Sequence, residues 1–163
     1  MIFDALTLLS GAIGVASGAM AGQAANGAGS ILSTNTIDVG PLPLGGNQNT
    51  ELGTGPAMQL AVRVLSAPTV GTSVQFQVIQ ADDAALTSNV QVLGQTDAIP
   101  IASLPAGTQV VLPVPRPVPP GAKRYVGARY VNVGAIATAS YFAGLVLDVQ
   151  SPNTILRTGF SVA

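Results

Sequence analysis

The sequence predicts an all-β fold: an antiparallel β-sandwich with an extended amino-terminal arm. Two observations predict this class. Nineteen glycines and twelve prolines among 163 residues are too many for a helical bundle and suit short strands joined by frequent turns. From Ile31 onward, apolar and polar residues alternate with the period of two that is typical of half-buried strands. A chain of this length can bury a core, built from aliphatic side chains because aromatics make up only 4% of it.

Residues 1–30 are predicted to form the arm, and residues 31–163 the sandwich. Between Asp4 and Asp38 no residue carries a charge, and Gly18–Ser30 has the Gly/Ala-rich composition of a linker. Such a segment is expected to order only against a partner. Deleting the arm is therefore expected to leave the sandwich folded.

The body of the chain supplies the strands in order. A first alternating run covers Met58–Val64, followed by a turn signal at Ser66–Pro68. The clearest strand is Ser73–Gln80. Its alternation directs one set of side chains inward and another outward: Val74, Phe76 and Val78, against Ser73, Gln75 and Gln77. With Gln80, the outward glutamines are expected to form a soluble sheet face, or one that bonds to another chain.

The later strands are predicted from shorter runs: Val90–Leu93, Ala98–Leu104, Gln109–Val114, Lys123–Val133 and Thr138–Val149. Proline cannot donate to a ladder, so Pro113–Pro120 is expected to be an edge or a loop. Gly134 and Ala135 mark a hairpin turn between the last two long strands. With a final segment at Thr154–Val162, the pattern predicts a sandwich or barrel and leaves jelly-roll, immunoglobulin-like and barrel topologies open.

The chain is poor in reactive side chains, since it has no histidine, no cysteine and only thirteen charged residues. A Ser–His–Asp triad is excluded, and a zinc site would need carboxylates alone, which zinc does not favour. Asp82 and Asp83 are adjacent and, with Asn89, lack EF-hand spacing, so they predict a capped turn. We therefore expect no catalytic residue, no cofactor and no metal, and not an enzyme.

Four of the six cations fall within fourteen positions: Arg116, Lys123, Arg124 and Arg129. They form either the solvated rim of two strands or a patch that docks on an acidic partner surface. Nucleic acid is not expected, because a net charge of −1 supplies no basic field and only Tyr125 and Tyr130 lie nearby for stacking. So little net charge does not keep copies apart, so we expect stable association with itself or a partner.

Several segments, in order and spacing, resemble those of a known family: Ser33–Asp38 (STNTID), Gly71–Gln77 (GTSVQFQ), Asp82–Ser88 (DDAALTS), Arg124–Tyr130 (RYVGARY) and Ala143–Val149 (AGLVLDV). The opening Met1–Asp4 (MIFD) is similar too. The chain resembles the capsid cement proteins of tailed bacteriophages, typified by the Bordetella phage cement protein. It departs from that pattern in the longer Gly/Ala-rich region before Ser33 and in the insert-like Pro41–Pro56.

The resemblance implies a jelly-roll sandwich on the outside of the virion, on an icosahedral head built from a different, major capsid protein. There it bridges neighbouring capsomers against the pressure of packaged DNA, after assembly in the host cytoplasm. A homo-oligomer is expected, a dimer or trimer on a symmetry axis. No membrane partner is implied. The candidate capsid contacts are the opening residues and the clustered cations: Met1, Ile2, Phe3, Arg116, Lys123, Arg124 and Arg129.

Two other classes stay open. One is a virion-surface or secreted β-sandwich that adheres to host glycans, which normally requires exposed aromatics and clustered carboxylates or amides. The other is an exported or membrane-anchored β-protein that uses Ala5–Gly22 as its signal. The sequence disfavours export because Asp4 stands where a basic residue is expected, and it disfavours a span because no Lys or Arg flanks the segment.

Overall fold

The computed structural model describes residues 5–14, 17–40, 58–115 and 123–147. The strands are Leu8–Ser10 (β1), Ala12–Ile13 (β2), Met20–Ala21 (β3), Gln23–Ala24 (β4), Gly27–Leu32 (β5), Ile37–Asp38 (β6), Gln59–Thr69 (β7), Ser73–Ala81 (β8), Gln91–Gln95 (β9), Ile99–Pro100 (β10), Gln109–Pro113 (β11), Tyr125–Ile136 (β12) and Thr138–Val146 (β13). Short 3-10 turns cover Ala5–Thr7 and Ile101–Ser103.

Two antiparallel sheets make up the sandwich. The first runs β1-β13-β7-β11, with β4 also on β13, and the second runs β10-β8-β12-β5, with β9 on β8 and β6 on β12. The main ladders are nested along the chain: β1 pairs β13, β5 pairs β12, β7 pairs β11 and β8 pairs β9. In a jelly roll, early strands pair with late strands and the pairs are nested toward the middle of the chain, as these ladders are. The predicted all-β sandwich is confirmed.

The core lies between the sheets and follows the predicted alternation. Val74, Phe76 and Val78 point inward, as predicted, and are fully buried. Phe76 forms edge-on contacts with Tyr130 of β12 and Tyr141 of β13, at ring-centroid distances of 5.8 and 5.2 Å. Edge-on pairs of this kind contribute about 0.5–1.5 kcal/mol each beyond the burial of their area. This aromatic cluster, Phe76–Tyr130–Tyr141, therefore joins the two sheets.

The predicted turn at Ser66–Pro68 is wrong, because these residues lie within β7. The pairing of β7 with β13 is irregular there, with register shifts on both sides of Ser140. An interrupted ladder tolerates a proline, which has no N–H to donate. The chain turns later, through Val70–Thr72, between β7 and β8.

The predicted hairpin at Gly134 and Ala135 is also wrong. Both residues lie within β12, whose pairing with β5 shifts register between Asn132 and Ile136. The strand β12 pairs only within the second sheet and β13 only within the first, so the connection at Ala137 crosses between sheets. Gly134 serves a close approach instead: a Cβ there would lie 2.9 Å from the Cα of Gly71.

The amino-terminal segment is part of the sandwich in the residues that the structure describes. Leu8–Ser10 forms the edge strand of the first sheet, and Leu9 is fully buried in the core. Gly27–Leu32 pairs with β12 in the second sheet. The predicted boundary at residue 30 thus falls inside β5. Small residues concealed β5, because glycine and alanine supply no alternation of hydrophobicity.

The turn predicted at Asp82 and Asp83 is confirmed. The Oδ1 atom of Asp83 accepts the backbone N–H groups of Thr87 at 2.8 Å and Ser88 at 2.7 Å, and Oδ2 accepts the Thr87 hydroxyl at 2.7 Å. These bonds, the one from Ser88 foremost, hold the pKa of the Asp83 carboxyl below its usual value. The predicted segment Thr154–Val162 and the end of Thr138–Val149 lie outside the described residues.

Candidate docking surface

The outer face of the first sheet is covered by the chain's own amino-terminal segment. Phe142 points outward from β13 and is nevertheless fully buried. The hairpin of β2 and β3 lies over it: a Cβ at Gly11 would be 3.0 Å from the Phe142 ring and would overlap the carbonyl oxygen of Ala21. We call residues 10–14 and 17–22 the amino-terminal cover. Gly11 and Gly22 allow its backbone to lie directly on the sheet, against Phe142 and Ser140.

The outer face of the second sheet is covered over only part of its length. Leu86, in the loop between β8 and β9, packs with Ile79 and Ala81 in a separate small apolar cluster. It adopts the left-handed region at φ 57° and lies over Gly127, where a Cβ would overlap its side chain. We call residues 82–90 the loop cover. Past Arg129 along β12, the face carries outward amides and valines instead.

The two ends of the sandwich differ in charge. At one end, which we call the proximal end, β12 begins, β13 finishes and β6 pairs with Tyr125. At the opposite, distal end, Val70–Thr72 turns β7 into β8. Two ion pairs lie at the proximal end. The distal turn and the adjoining residues 133–138 carry no charged side chain.

Lys123 and Arg124, both predicted contact residues, lie at the proximal end and are ion-paired within the molecule. The Lys123 ammonium lies 3.1 Å from Asp82, and the Arg124 guanidinium donates to both carboxylate oxygens of Asp38, at 2.9 and 2.8 Å. The bond from Arg124 is the main cause that lowers the pKa of Asp38; for Asp82 the bond from Asn89 comes first and that from Lys123 second. Much of the predicted basic patch is therefore neutralised internally.

Arg129 differs from these two cations. It points outward from the middle of β12, is half-buried, and has no carboxylate partner among the described residues. Its Nε donates to the Oε1 of Gln77 at 2.6 Å. Gln77 in turn is only 5% exposed, so the prediction of a solvated outward glutamine is wrong at this position. Gln80 is buried as well, with its amide donating to Gln91 at 2.8 Å.

The other predicted contact residues, Met1, Ile2, Phe3 and Arg116, lie outside the described residues. The described residues that adjoin them in the sequence lie at the proximal end. Leu8 pairs with Gly144, with Thr7 beyond it. The backbone N–H of Val114 donates to the carbonyl oxygen of Met58 at 2.9 Å.

Sequence reasoning did not identify the exposed apolar side chains at the two ends. Leu6 and Leu147, at the proximal end, are 85% and 62% exposed, while Val70 and Val133, at the distal end, are 66% and 50% exposed. Val70 is also strained, since its φ of 59° is unfavourable for a β-branched residue by about 1–3 kcal/mol.

Other kinds of site find little support among the described residues. The described aromatics are buried except Tyr125, which is half-buried beneath the Arg124 guanidinium at 5.1 Å. No group of three metal-binding side chains occurs within the described ranges. In that same part of the chain, no helix has the length and apolar character needed to cross a membrane.

Comparisons with known proteins identify a family for this chain. A search of curated proteins finds no match. The family model Bbp16 matches residues 19–146, which run from the amino-terminal cover to the end of β13. That span is most of the chain and nearly all of the described sandwich. The chain therefore belongs to the Bbp16 family, a Bordetella phage protein family, and is a phage-related protein.

Proposed function

We propose that the protein is a structural virion protein that binds the outside of an icosahedral phage head and cements neighbouring capsomers of the major capsid protein. It would act without catalytic chemistry, by resisting the outward pressure of packaged DNA. The observation that carries the proposal is where the four most exposed of the described large apolar side chains lie: Leu6 and Leu147 at one end of the sandwich, Val70 and Val133 at the other. A protein that joins two neighbours needs two separate contact regions.

The sandwich is suited to carry load between such contacts. The aromatic cluster Phe76–Tyr130–Tyr141 connects the two sheets, and both outer faces carry covers from the same chain. Close-packed interiors transmit strain rather than deforming. The strained and exposed Val70 supports a contact at the distal end, because a position that costs the fold stability is typical of a functional site.

Affinity for a head would come from repetition. A contact of about 800 Å² per partner yields only modest affinity for one copy, since association costs translational freedom and side-chain ordering. Many copies held at several points each become effectively irreversible. Sparse charge, eight per cent of all residues, suits contacts that are mainly apolar and amide in character.

The direct test is reconstitution on heads of the encoding phage that lack this protein. Purified protein should co-sediment with such heads up to a fixed stoichiometry, and should raise the temperature at which DNA-filled heads release their DNA. Binding without any gain in head stability would contradict cementing. Failure to bind heads, with binding to host-cell glycans instead, would favour the adhesion alternative.

A further inference from the structure

Arg129 is held in a fixed position by a network of amide side chains. Its Nε donates to Gln77 Oε1, and the Gln77 amide donates to Gln75 Oε1 at 2.9 Å and to Gln95 Oε1 at 3.0 Å. The amide of Gln75 donates to the carbonyl oxygen of Thr96 at 2.8 Å. Both N–H groups of Gln77 are used, so its oxygen must face Arg129. The network crosses β12, β8 and β9 and holds the Nε of Arg129 in place.

This arrangement leaves the terminal N–H groups of Arg129 without a partner among the described residues. A guanidinium has five N–H groups, and the described contacts of Arg129 use the one on Nε. The outward neighbours of Arg129 on the adjacent strands are Leu32 and Gln77, and the next outward residue on β12 is Val131, so no described neighbour neutralises the charge. The two terminal nitrogens form a planar fork that matches a carboxylate.

We propose that Arg129 binds an Asp or Glu side chain of the head shell, so that the outer face of the second sheet past the loop cover is a docking surface for an acidic protein partner. This inference rests on the proposed function and adds the chemistry of one contact. Charge complementarity selects the partner: the face is uncharged apart from Arg129, and Val133, on the same strand, adds an exposed apolar rim.

Lys123 and Arg124 do not fulfil this role, although they belong to the same cluster in the sequence. Their carboxylate partners, Asp82 and Asp38, are supplied by the same molecule. Binding a partner through them would first require breaking these pairs. Arg129 is pre-positioned instead, which lowers the ordering cost of the contact.

The test compares Arg129→Gln with two matched controls, Arg124→Gln and Arg63→Gln, which remove an ion-paired cation and an exposed cation of the first sheet. Each variant is titrated onto heads that lack the protein, across a range of salt concentrations, with folding checked by circular dichroism. We expect Arg129→Gln to weaken binding about tenfold and to reduce its salt dependence, because a charge-assisted bidentate pair is lost. The controls should stay within about twofold of the unmodified protein.

The partner's chemistry is tested on the head itself. After carbodiimide amidation of head carboxylates, the unmodified protein and Arg129→Gln should bind equally. Equal binding to untreated heads, with the same salt dependence, would overturn the inference while leaving the proposed function intact. Absence of binding by the unmodified protein would overturn both. The exposed Asp97, which follows β9, could supply the carboxylate from a second copy. If Arg129→Gln and Asp97→Asn each abolish self-association, the carboxylate comes from that second copy, which also overturns the proposal.

Discussion

The covers on the two sheets are attached in different ways. On the first sheet, the amino-terminal cover is continuous with core strands. It is anchored by a buried hydrogen bond, which the Tyr130 hydroxyl donates to Ser10 Oγ at 2.6 Å. On the second sheet, the loop cover is held by the buried side chain of Leu86, by the Asp83 cap and by the surface ion pair of Asp82 with Lys123. The first cover is part of the folding unit, whereas the second is a local structure that leaves the rest of its sheet face accessible.

The largest effect is expected from deleting residues 1–30. The deletion removes β1 with the buried Leu9, and most of β5, so we now expect loss of cooperative folding rather than a folded sandwich. Leu9→Ala isolates the core contribution and should cost about 3 kcal/mol. Circular dichroism with urea unfolding measures both. A truncated protein with an unchanged unfolding midpoint would show that the segment is dispensable.

Leu86→Ala should cost less, about 2 kcal/mol, because the small cluster beneath the loop cover can partly collapse. The expected signature is local: faster hydrogen exchange at Thr87 and Ser88, with protection of the core strands unchanged. If exchange accelerated equally throughout the sandwich, the loop cover would belong to the same folding unit as the amino-terminal cover.

The two core tyrosines provide a paired comparison of polar anchoring. Tyr130→Phe leaves the buried Ser10 hydroxyl without its partner and should destabilise by about 1–2 kcal/mol. Tyr141→Phe removes a buried hydroxyl that has no hydrogen-bond partner among the described residues, so it should be neutral or slightly stabilising. Urea unfolding measures the change in the free energy of unfolding for both variants. A larger loss of stability for Tyr141→Phe than for Tyr130→Phe would contradict this comparison of the two hydroxyls.

The same tyrosines predict sensitivity to alkali. Burial raises the pKa of Tyr141 to about 12, and raises that of Tyr130 as well. The folded-state pKa of each tyrosine lies above its unfolded value of about 10. Each neutral tyrosine therefore contributes its full stabilisation of the folded state below about pH 10. Stability should fall as pH rises from about 10 to about 12. A pH titration of the unfolding midpoint measures this loss, and Tyr141→Phe should reduce its slope while the contribution of Tyr130 remains.

The smallest effect is expected at the Asp83 cap. The folded-state pKa of this carboxyl is lowered, so its contribution is present above the unfolded value of about 4 and is lost as pH falls through the folded value. Asp83→Asn should reduce the acid dependence of hydrogen exchange within the loop cover and leave the amino-terminal cover unaffected. An equal change in both covers would remove the distinction between them.

The predictable part of the fold was the part encoded locally. Alternation over Ser73–Gln80 gave the inward set of β8, and adjacent aspartates gave the turn that follows. The amino-terminal strands were missed because Gly27–Leu32 shows no alternation, and its place depends on pairing with a distant strand. Gly134 was misassigned because a glycine required for a close approach has the same sequence signature as one in a hairpin.

The candidate site was only half predictable for a similar reason. The cluster of cations was visible in the sequence, but the sequence did not show which of them are ion-paired within the molecule and which is not. Asp38 and Arg124 are 86 residues apart, and Gln77 and Arg129 are 52 apart, so strand register decides which cation is neutralised and which is presented to a partner. No local pattern contains that register.

The central claim, that the protein cements a phage head from outside, is tested most directly by electron cryomicroscopy of DNA-filled virions of the encoding phage. The account predicts repeated jelly-roll density over the seams between capsomers, with both ends of the sandwich in contact and the Arg129 face against an acidic side chain of the shell. A bare outer shell, with the protein at the tail or absent from the particles, would contradict it.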